Sequence, residues 1–407
     1  MTSTHLIEKA ESYLGNLCLD IPCRRVGSAG NRAATDLFAK IVASCGYETH
    51  SPEFNCMDWS QEGADLYVDG DAFEVIPSPY SLGCNVRAPL SIISSDEELE
   101  AATVSNQILL LRGEAAREQL MPKKFPFYNP DRHKRVIQLL ETRHPQAIIA
   151  ATSRDPEMVV GSQHPFPLIE DGDFDIPSVY MTEEEGLRLA EYAGRQVALE
   201  IRANRIPSTG CNIIARKGAA GERRVVLFAH IDARLDSPGA NDNASGVAIL
   251  LLLAELMADY SGKLGLEIVA LNGEDYYSNP GEQQYLALNV GRFGEILLGI
   301  NLDGAGYYRG DIAYSTYGCP VEVAAAIRRV FSAYSGLVEG EPWYQGDHGL
   351  FLMNEVPALA ITSQRLAELM AGIIHTPKDK PETVDATKLA TVALALQDLL
   401  YHLELST

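Results

Sequence analysis

Imidazole and carboxylate groups able to hold a metal or move a proton are crowded into "FAHIDARLDSPGANDNASGVAILLLLAEL", which runs from Phe228 to Leu256. His230, Asp232, Asp236 and Asp242 stand there, directly ahead of the apolar run Val247–Ala254. His230 and Asp232 follow the apolar run "RRVVLFA", which places them at the C-terminal end of a buried strand, where open α/β sheets hold ligands. Asp242 sits in the turn "PGANDNASG" that begins the next helix, and the positive end of that helix favours an ionised carboxylate. Taken one at a time, these residues are better explained as helix caps and a satisfied core histidine.

The arrangement recurs downstream. "LEIVALNGED" delivers the adjacent acids Glu274 and Asp275 at a strand end, "ILLGINLDGAG" delivers Asp303, and "IIHTPKD" delivers His375 in a turn fixed by Pro377. Neighbouring carboxylates repel and need a proton or a cation to coexist. Two dications balanced by Asp242, Asp275, Asp303 and one bridging hydroxide make a neutral set, with the neutral imidazoles of His230 and His375 completing the shells. Such a set tolerates burial where separate charges would not. Imidazole with carboxylate suits zinc, and manganese or cobalt could occupy the same site. Two such ions about 3.5–4 Å apart lower the pKa of a water towards ~7 and polarise a carbonyl. Glu274, outside the ligand count, is then the candidate general base for hydrolysis.

The elements that must position these groups follow from the apolar spacing. Runs at Arg224–Ala229, Leu264–Asn272, Glu295–Leu302 and Val356–Thr362 alternate with helical patterns near 5–19, 243–259, 320–335 and 386–405. That alternation predicts an α/β fold whose sheet is covered by helices on both faces. Between about 63 and 202 the texture changes to short strands ("ADLYVDG", "QILLLRG", "QAIIAAT", "VALEIRA") with two clear helices. This predicts a smaller β-rich inserted domain at 63–202 and a discontinuous catalytic domain at 1–62 and 203–407.

Composition narrows the function classes. A formal charge of −22 over 407 residues argues against nucleic-acid and anionic-membrane partners, which require basic patches. The seven cysteines are odd in number and include no C-x-x-C pair, which suggests neither a disulfide framework nor a zinc knuckle. The N-terminal "MTSTHLIEKAESYLGNL" reads as an amphipathic helix rather than a signal peptide, and Val247–Ala254 is too short to cross a bilayer, so a cytoplasmic location is expected. Neither a G-x-S-x-G turn nor a phosphate-cradling loop is present.

The motifs "HID…GANDNASG", "NGED", "NLDG", "GDHGLF" and "HTPKD" together resemble the M28 family of zinc aminopeptidases, in that family's order. "IPCRRVGSAGNRAATDLFAKIVASCGY" is similar to the family's opening segment, so the likeness spans most of 20–380. The resemblance implies a zinc-peptidase-like three-layer sheet, two zinc ions per chain, and a peptide substrate with a free N-terminus. It also implies that Asp242 bridges the two ions, that His230 and Asp303 share one, and that Asp275 and His375 share the other. By the same resemblance Glu274 is the general base, Asp232 orients a histidine ligand, and the insert is similar to a protease-associated domain.

Some positions depart from the family pattern. Asp275 stands where many relatives have Glu, and Ile374 stands where a Tyr often stabilises the tetrahedral intermediate; Tyr344, in "EPWYQGDHGLF", is the replacement candidate. Asp347 and His348 are read as loop-shaping, and Asp236 as a turn residue. The same scaffold would also suit a carboxypeptidase, with Arg234, Arg309 or Lys378 meeting the substrate carboxylate, or a glutaminyl cyclotransferase. A non-catalytic binding module should have lost ligands or the base, and all are present.

Overall fold

The computed structural model describes residues 2–153, 163–218, 223–344 and 346–406. The chain divides into two units, Met1–Cys56 with Thr209–Thr407, and Met57–Ser208.

The first unit is built on an eight-stranded sheet. Its strands are β1 (Glu48–His50), β2 (Ile213–Lys217), β3 (Arg224–His230), β4 (Gly265–Leu271), β5 (Ile296–Leu302), β6 (Ile312–Tyr317), β7 (Leu337–Glu339) and β8 (Ala358–Ser363). Their order across the sheet is β1-β2-β4-β3-β5-β8-β6-β7. The central strands β4, β3, β5 and β8 run parallel, so their C-terminal ends open onto one edge. The flanking pairs β1–β2, β2–β4 and β8–β6 are antiparallel.

Parallel strands require cover on both faces, which is why β3 reads as the nearly unbroken apolar run "RVVLFAH" and is buried at every residue. The helices that provide the cover are α1 (Ser3–Gly15), α2 (Ala29–Ser44), α3 (Ser245–Leu256), α4 (Pro280–Leu288), α5 (Val321–Phe331), α6 (Gly349–Leu352), α7 (Leu366–Gly372) and α8 (Ala386–Ser406). On one face α3 lies against β3 and is itself covered by α1, α2 and α8. Its residues 245–254 are all buried, as expected for a helix apolar on every side. On the other face Phe228 of β3 stacks on Phe351 of α6 at 4.5 Å and meets Tyr285 of α4 edge-on at 4.8 Å. Gly299 of β5 makes room for that ring: a Cβ there would lie 2.3 Å from Phe351. The sheet is therefore the middle of three layers, as the sequence led us to expect.

Two local differences bear on the site. The first helix stops at Gly15 and passes into a π-helical turn, Asn16–Asp20. The helix expected from 243 begins only at Ser245, because Asp242 (φ −118°, ψ 85°) and Asn243 (φ −137°, ψ 41°) have non-helical backbone.

The second unit has its own core around Leu109, Leu111, Val136, Leu140 and Ile148. Cys84–Ile93, Ile108–Leu111, Ala147–Thr152 and Ser178–Thr182 form a parallel run. Among the described residues three α-helices accompany them rather than two: Asp96–Ala101, Asp131–Arg143 and Glu183–Ala190. The extra one is "SDEELEA", whose acidic first turn is capped by the Ser95 hydroxyl accepting from Glu98 N at 3.2 Å. The long strands Glu53–Val68 and Gln196–Cys211 carry the chain across both divisions, so these fall inside strands and not at turns. Among the described residues no helix is long and apolar enough to cross a membrane.

Candidate metal centre

Five of the predicted groups meet at the open edge of the parallel strands. His230 is the last residue of β3 and 1% exposed. Its Nε2 lies 3.0 Å from Asp242 Oδ1 and 3.9 Å from Asp303 Oδ1. His375, whose backbone is left-handed (φ 59°), brings its Nε2 to 2.9 Å from Asp242 Oδ2 and 3.2 Å from Asp275 Oδ1. The two oxygens of Asp242 thus face different imidazoles, and each imidazole has a further carboxylate of its own. One oxygen or nitrogen each from His230, Asp242 and Asp275 lie within 4.8 Å of one another.

Each group arrives there by an identifiable local device. Asp303 follows β5, and its N–H donates to Ile361 O of β8 at 3.0 Å. The turn after β4 is held by Asp232, whose Oδ1 accepts from Gly273 N at 2.7 Å and whose Oδ2 accepts from Asp275 N at 3.0 Å. Asp232 Oδ1 is 3.7 Å from His230 Nδ1, too long for a hydrogen bond, so in this geometry its bonds serve the Asp275 turn. The peptide bond Asp242–Asn243 is cis. Asn243 fastens that segment, donating from Nδ2 to Leu302 O at 2.8 Å and accepting from Gly246 N at 3.0 Å.

The electrostatics call for positive charge. Burial, reinforced by Asp242, Asp347 and Asp275 against an opposing His230, pushes Asp303 up to about 7. Burial and then Asp275, Asp347 and Asp303 likewise hold Glu274 well above the usual carboxylate range. His375 is pushed up to about 10, because Asp275 and Asp242 outweigh the effect of burial. A bound dication would relieve this crowding. The donor atoms fit one: ligand atoms bound tetrahedrally at about 2.0–2.1 Å are roughly 3.3 Å apart, close to the separations above. His230 Nε2 and Asp275 Oδ2 are moreover buried without a hydrogen-bond partner, as atoms reserved for a metal would be.

Other predicted residues lie differently. Tyr344 is 75% exposed, its ring edge-on to Tyr317 at 5.7 Å, with the phenol towards water. Arg309, offered for a substrate carboxylate, is paired with Glu368 at 2.6 Å. Asp236 adopts a left-handed turn conformation, φ 62°. His348 lies buried against the Trp343 carbonyl at 2.8 Å, in keeping with a loop-shaping role.

The sequence reading missed three contributors. Glu282 of α4, 4% exposed, shares a hydrogen bond with the carboxyl of Asp347, 3% exposed; burial pushes Asp347 to about 6, and both groups repel Glu274. Arg24 and Asp379 hold the segment between His230 and Asp242, Arg24 through its carbonyls and Asp379 through its N–H groups. Both stood inside quoted motifs, "IPCRRVGSAG" and "HTPKD", and that was their only signal.

Residues 212–400 match the model of peptidase family M28. That stretch, somewhat under half of the chain, carries the likeness to the family. A relative described as a probable lipoprotein aminopeptidase LpqL of Mycobacterium tuberculosis is 25% identical over 403 residues, covering 89% of this chain and 76% of its own. The chain also superimposes on the aminopeptidase from Aneurinibacillus sp. strain AM-1 with a TM-score of 0.74 at 21% identity, covering 97% of this chain and 93% of that one. BSAP, a zinc aminopeptidase from Bacillus subtilis, gives 0.74 at 19% identity, covering 98% and 94%. The chain accordingly has a mixed α/β fold shared with solved aminopeptidases.

Proposed function

We propose that this chain is a zinc-dependent aminopeptidase that binds two zinc ions and removes N-terminal residues from peptides. The observation that carries the reading is the single carboxylate of Asp242 facing His230 with one oxygen and His375 with the other, each beside its own second acid. His230, Asp242 and Asp303 would hold one ion, and His375, Asp242 and Asp275 the other. When bound, zinc supplies Lewis-acid polarisation of a carbonyl and activation of water at neutral pH.

The chain's own groups do the rest. Glu274, next to Asp275 but free of the ligand set, takes a proton from the attacking water and passes it to the leaving amine. Burial holds its carboxyl above the usual range in the metal-free chain, and bound zinc would draw it back towards the ionised form that a general base needs. The buried acids outside the ligand set, Glu274 and Asp347, favour a substrate's terminal ammonium over a neutral acylated end. We further propose that 57–208 is a module of protease-associated type, supported by its mixed strands and separate core.

Metal content and hydrolysis of aminoacyl-4-nitroanilides test this reading. We expect about two zinc ions per chain, turnover of the free-amine substrate and none of its N-acetylated form. In Glu274→Gln, kcat should fall about 10²–10⁴-fold with zinc retained. Two bound ions without turnover of any free-amine substrate would point to a cyclotransferase, read directly with an N-terminal glutaminyl peptide.

A further inference from the structure

The Asp242 segment has non-helical backbone, so its N–H groups cannot be satisfied by a helix ladder. They go to Asp379, which is 0% exposed. Asp379 Oδ1 accepts from Asn241 N at 2.8 Å and from Asn241 Nδ2 at 2.9 Å, and Oδ2 accepts from Asp242 N at 3.1 Å. The Asp379 carbonyl takes Ala240 N at 3.2 Å. Asn241 Nδ2 also donates to Thr383 Oγ1 at 2.7 Å, so the one turn after His375 receives three consecutive residues leading into Asp242.

We propose that Asp379 is a positioning residue of the zinc centre: by taking the N–H groups of Asn241 and Asp242 it fixes where the Asp242 carboxylate points, and so sets the affinity for zinc. This rests on the metal reading above. Three donors converge on one side chain, and only a carboxylate offers two acceptor oxygens with no donor of its own. An amide at 379 would turn an NH₂ towards one of those N–H groups. Asp379 has no cation among its hydrogen-bond partners, although it lies against a second buried carboxylate. Two anions so close are balanced once a dication binds Asp242 from its other side. The contacts therefore help the loaded centre more than the empty fold.

The test uses the full chain, wild type and Asp379→Asn, with zinc affinity measured by competition with a chelator. Melting temperatures are recorded zinc-free and zinc-loaded. We expect zinc affinity to fall about 10–100-fold, with a smaller gap between the two melting temperatures and a zinc-free value close to wild type. Unchanged affinity with both temperatures lowered equally would make Asp379 a structural group only and overturn the proposal. Should Asp379→Asn not fold, Asn241→Ala removes one donor while leaving the charge, and we expect a loss at the lower end of that range; unchanged affinity there also overturns the proposal. A wild type that takes up no zinc overturns the metal reading itself, an outcome distinct from a wild type and variant that bind equally.

Discussion

Each imidazole of the centre has one carboxylate that it shares and one that it does not, and the shared one is Asp242. A residue used from both sides tolerates little displacement, which is why its neighbours Asn241 and Asn243 are both buried and both spent on holding it. Tyr344 is the opposite case. The M28 pattern made it the stand-in for a tyrosine where this chain has Ile374, yet its phenol stands in water, where a donor gains little over solvent. Tyr344→Phe should therefore change kcat on an aminoacyl-4-nitroanilide by less than about threefold, whereas losing a working oxyanion donor costs about 10²–10³. A fall of that size would return the residue to the reaction.

At the scale of elements, the irregular link from β3 to α3 is held by two side chains of opposite sign. Arg24 is 1% exposed and donates to four carbonyls: Leu17 at 2.6 Å, Ile231 at 3.0 Å, and Pro238 and Gly239 at 2.8 Å each. Asp379 takes the N–H groups that follow. A lysine cannot span four acceptors. Arg24→Lys should lower the unfolding free energy by about 2–4 kcal/mol, since a buried carbonyl left without a partner costs about 1–3 kcal/mol. Urea unfolding would show this as a lower midpoint at unchanged slope.

The same link marks where the sequence stopped being readable. Strand ends that deliver His230, Asp275 and Asp303 announce themselves, because strands buried on both faces are mostly apolar and a cluster of acids or an imidazole where they end stands out. Arg24 and Asp379 do not, because their task depends on which way an irregular backbone turns its N–H and C=O groups. Asp232 was visible, but its bonds to the Gly273 and Asp275 amides were not. Glu282 and Asp347 are far apart in sequence, and only the packing of α4 on the sheet makes them partners.

Over the whole molecule, the zinc-free chain should lose stability as pH rises. Asp303 and Asp347 keep their protons up to about 7 and about 6 in the folded state, while an unfolded aspartate loses its proton near ~4. His375 stays charged up to about 10, against ~6.5 unfolded. In each case the folded state binds more protons, so stability falls with pH, from about 4 to 7 for the acids and from about 6.5 to 10 for the histidine. Zinc binds the deprotonated ligands and reverses this. The melting temperature of the zinc-free protein should fall between pH 6 and pH 9, and the increment from added zinc should grow over the same interval. A zinc-free melting temperature that rises over that interval would contradict the balance of charges drawn here.

The division of the first unit by the second has a consequence for how the molecule comes into being. Arg24, α1 and α2 leave the ribosome before residues 57–208, and the carbonyls, sheet and helices they pack on come only afterwards. At roughly 5–20 residues per second, the early helices wait on the order of ten seconds or more with their apolar faces unpartnered. His375 and Asp379 emerge later still, so a nascent chain can capture metal tightly only once residue 379 has left the ribosome. Zinc would then bind after the strands of the sheet have been made and would not nucleate them.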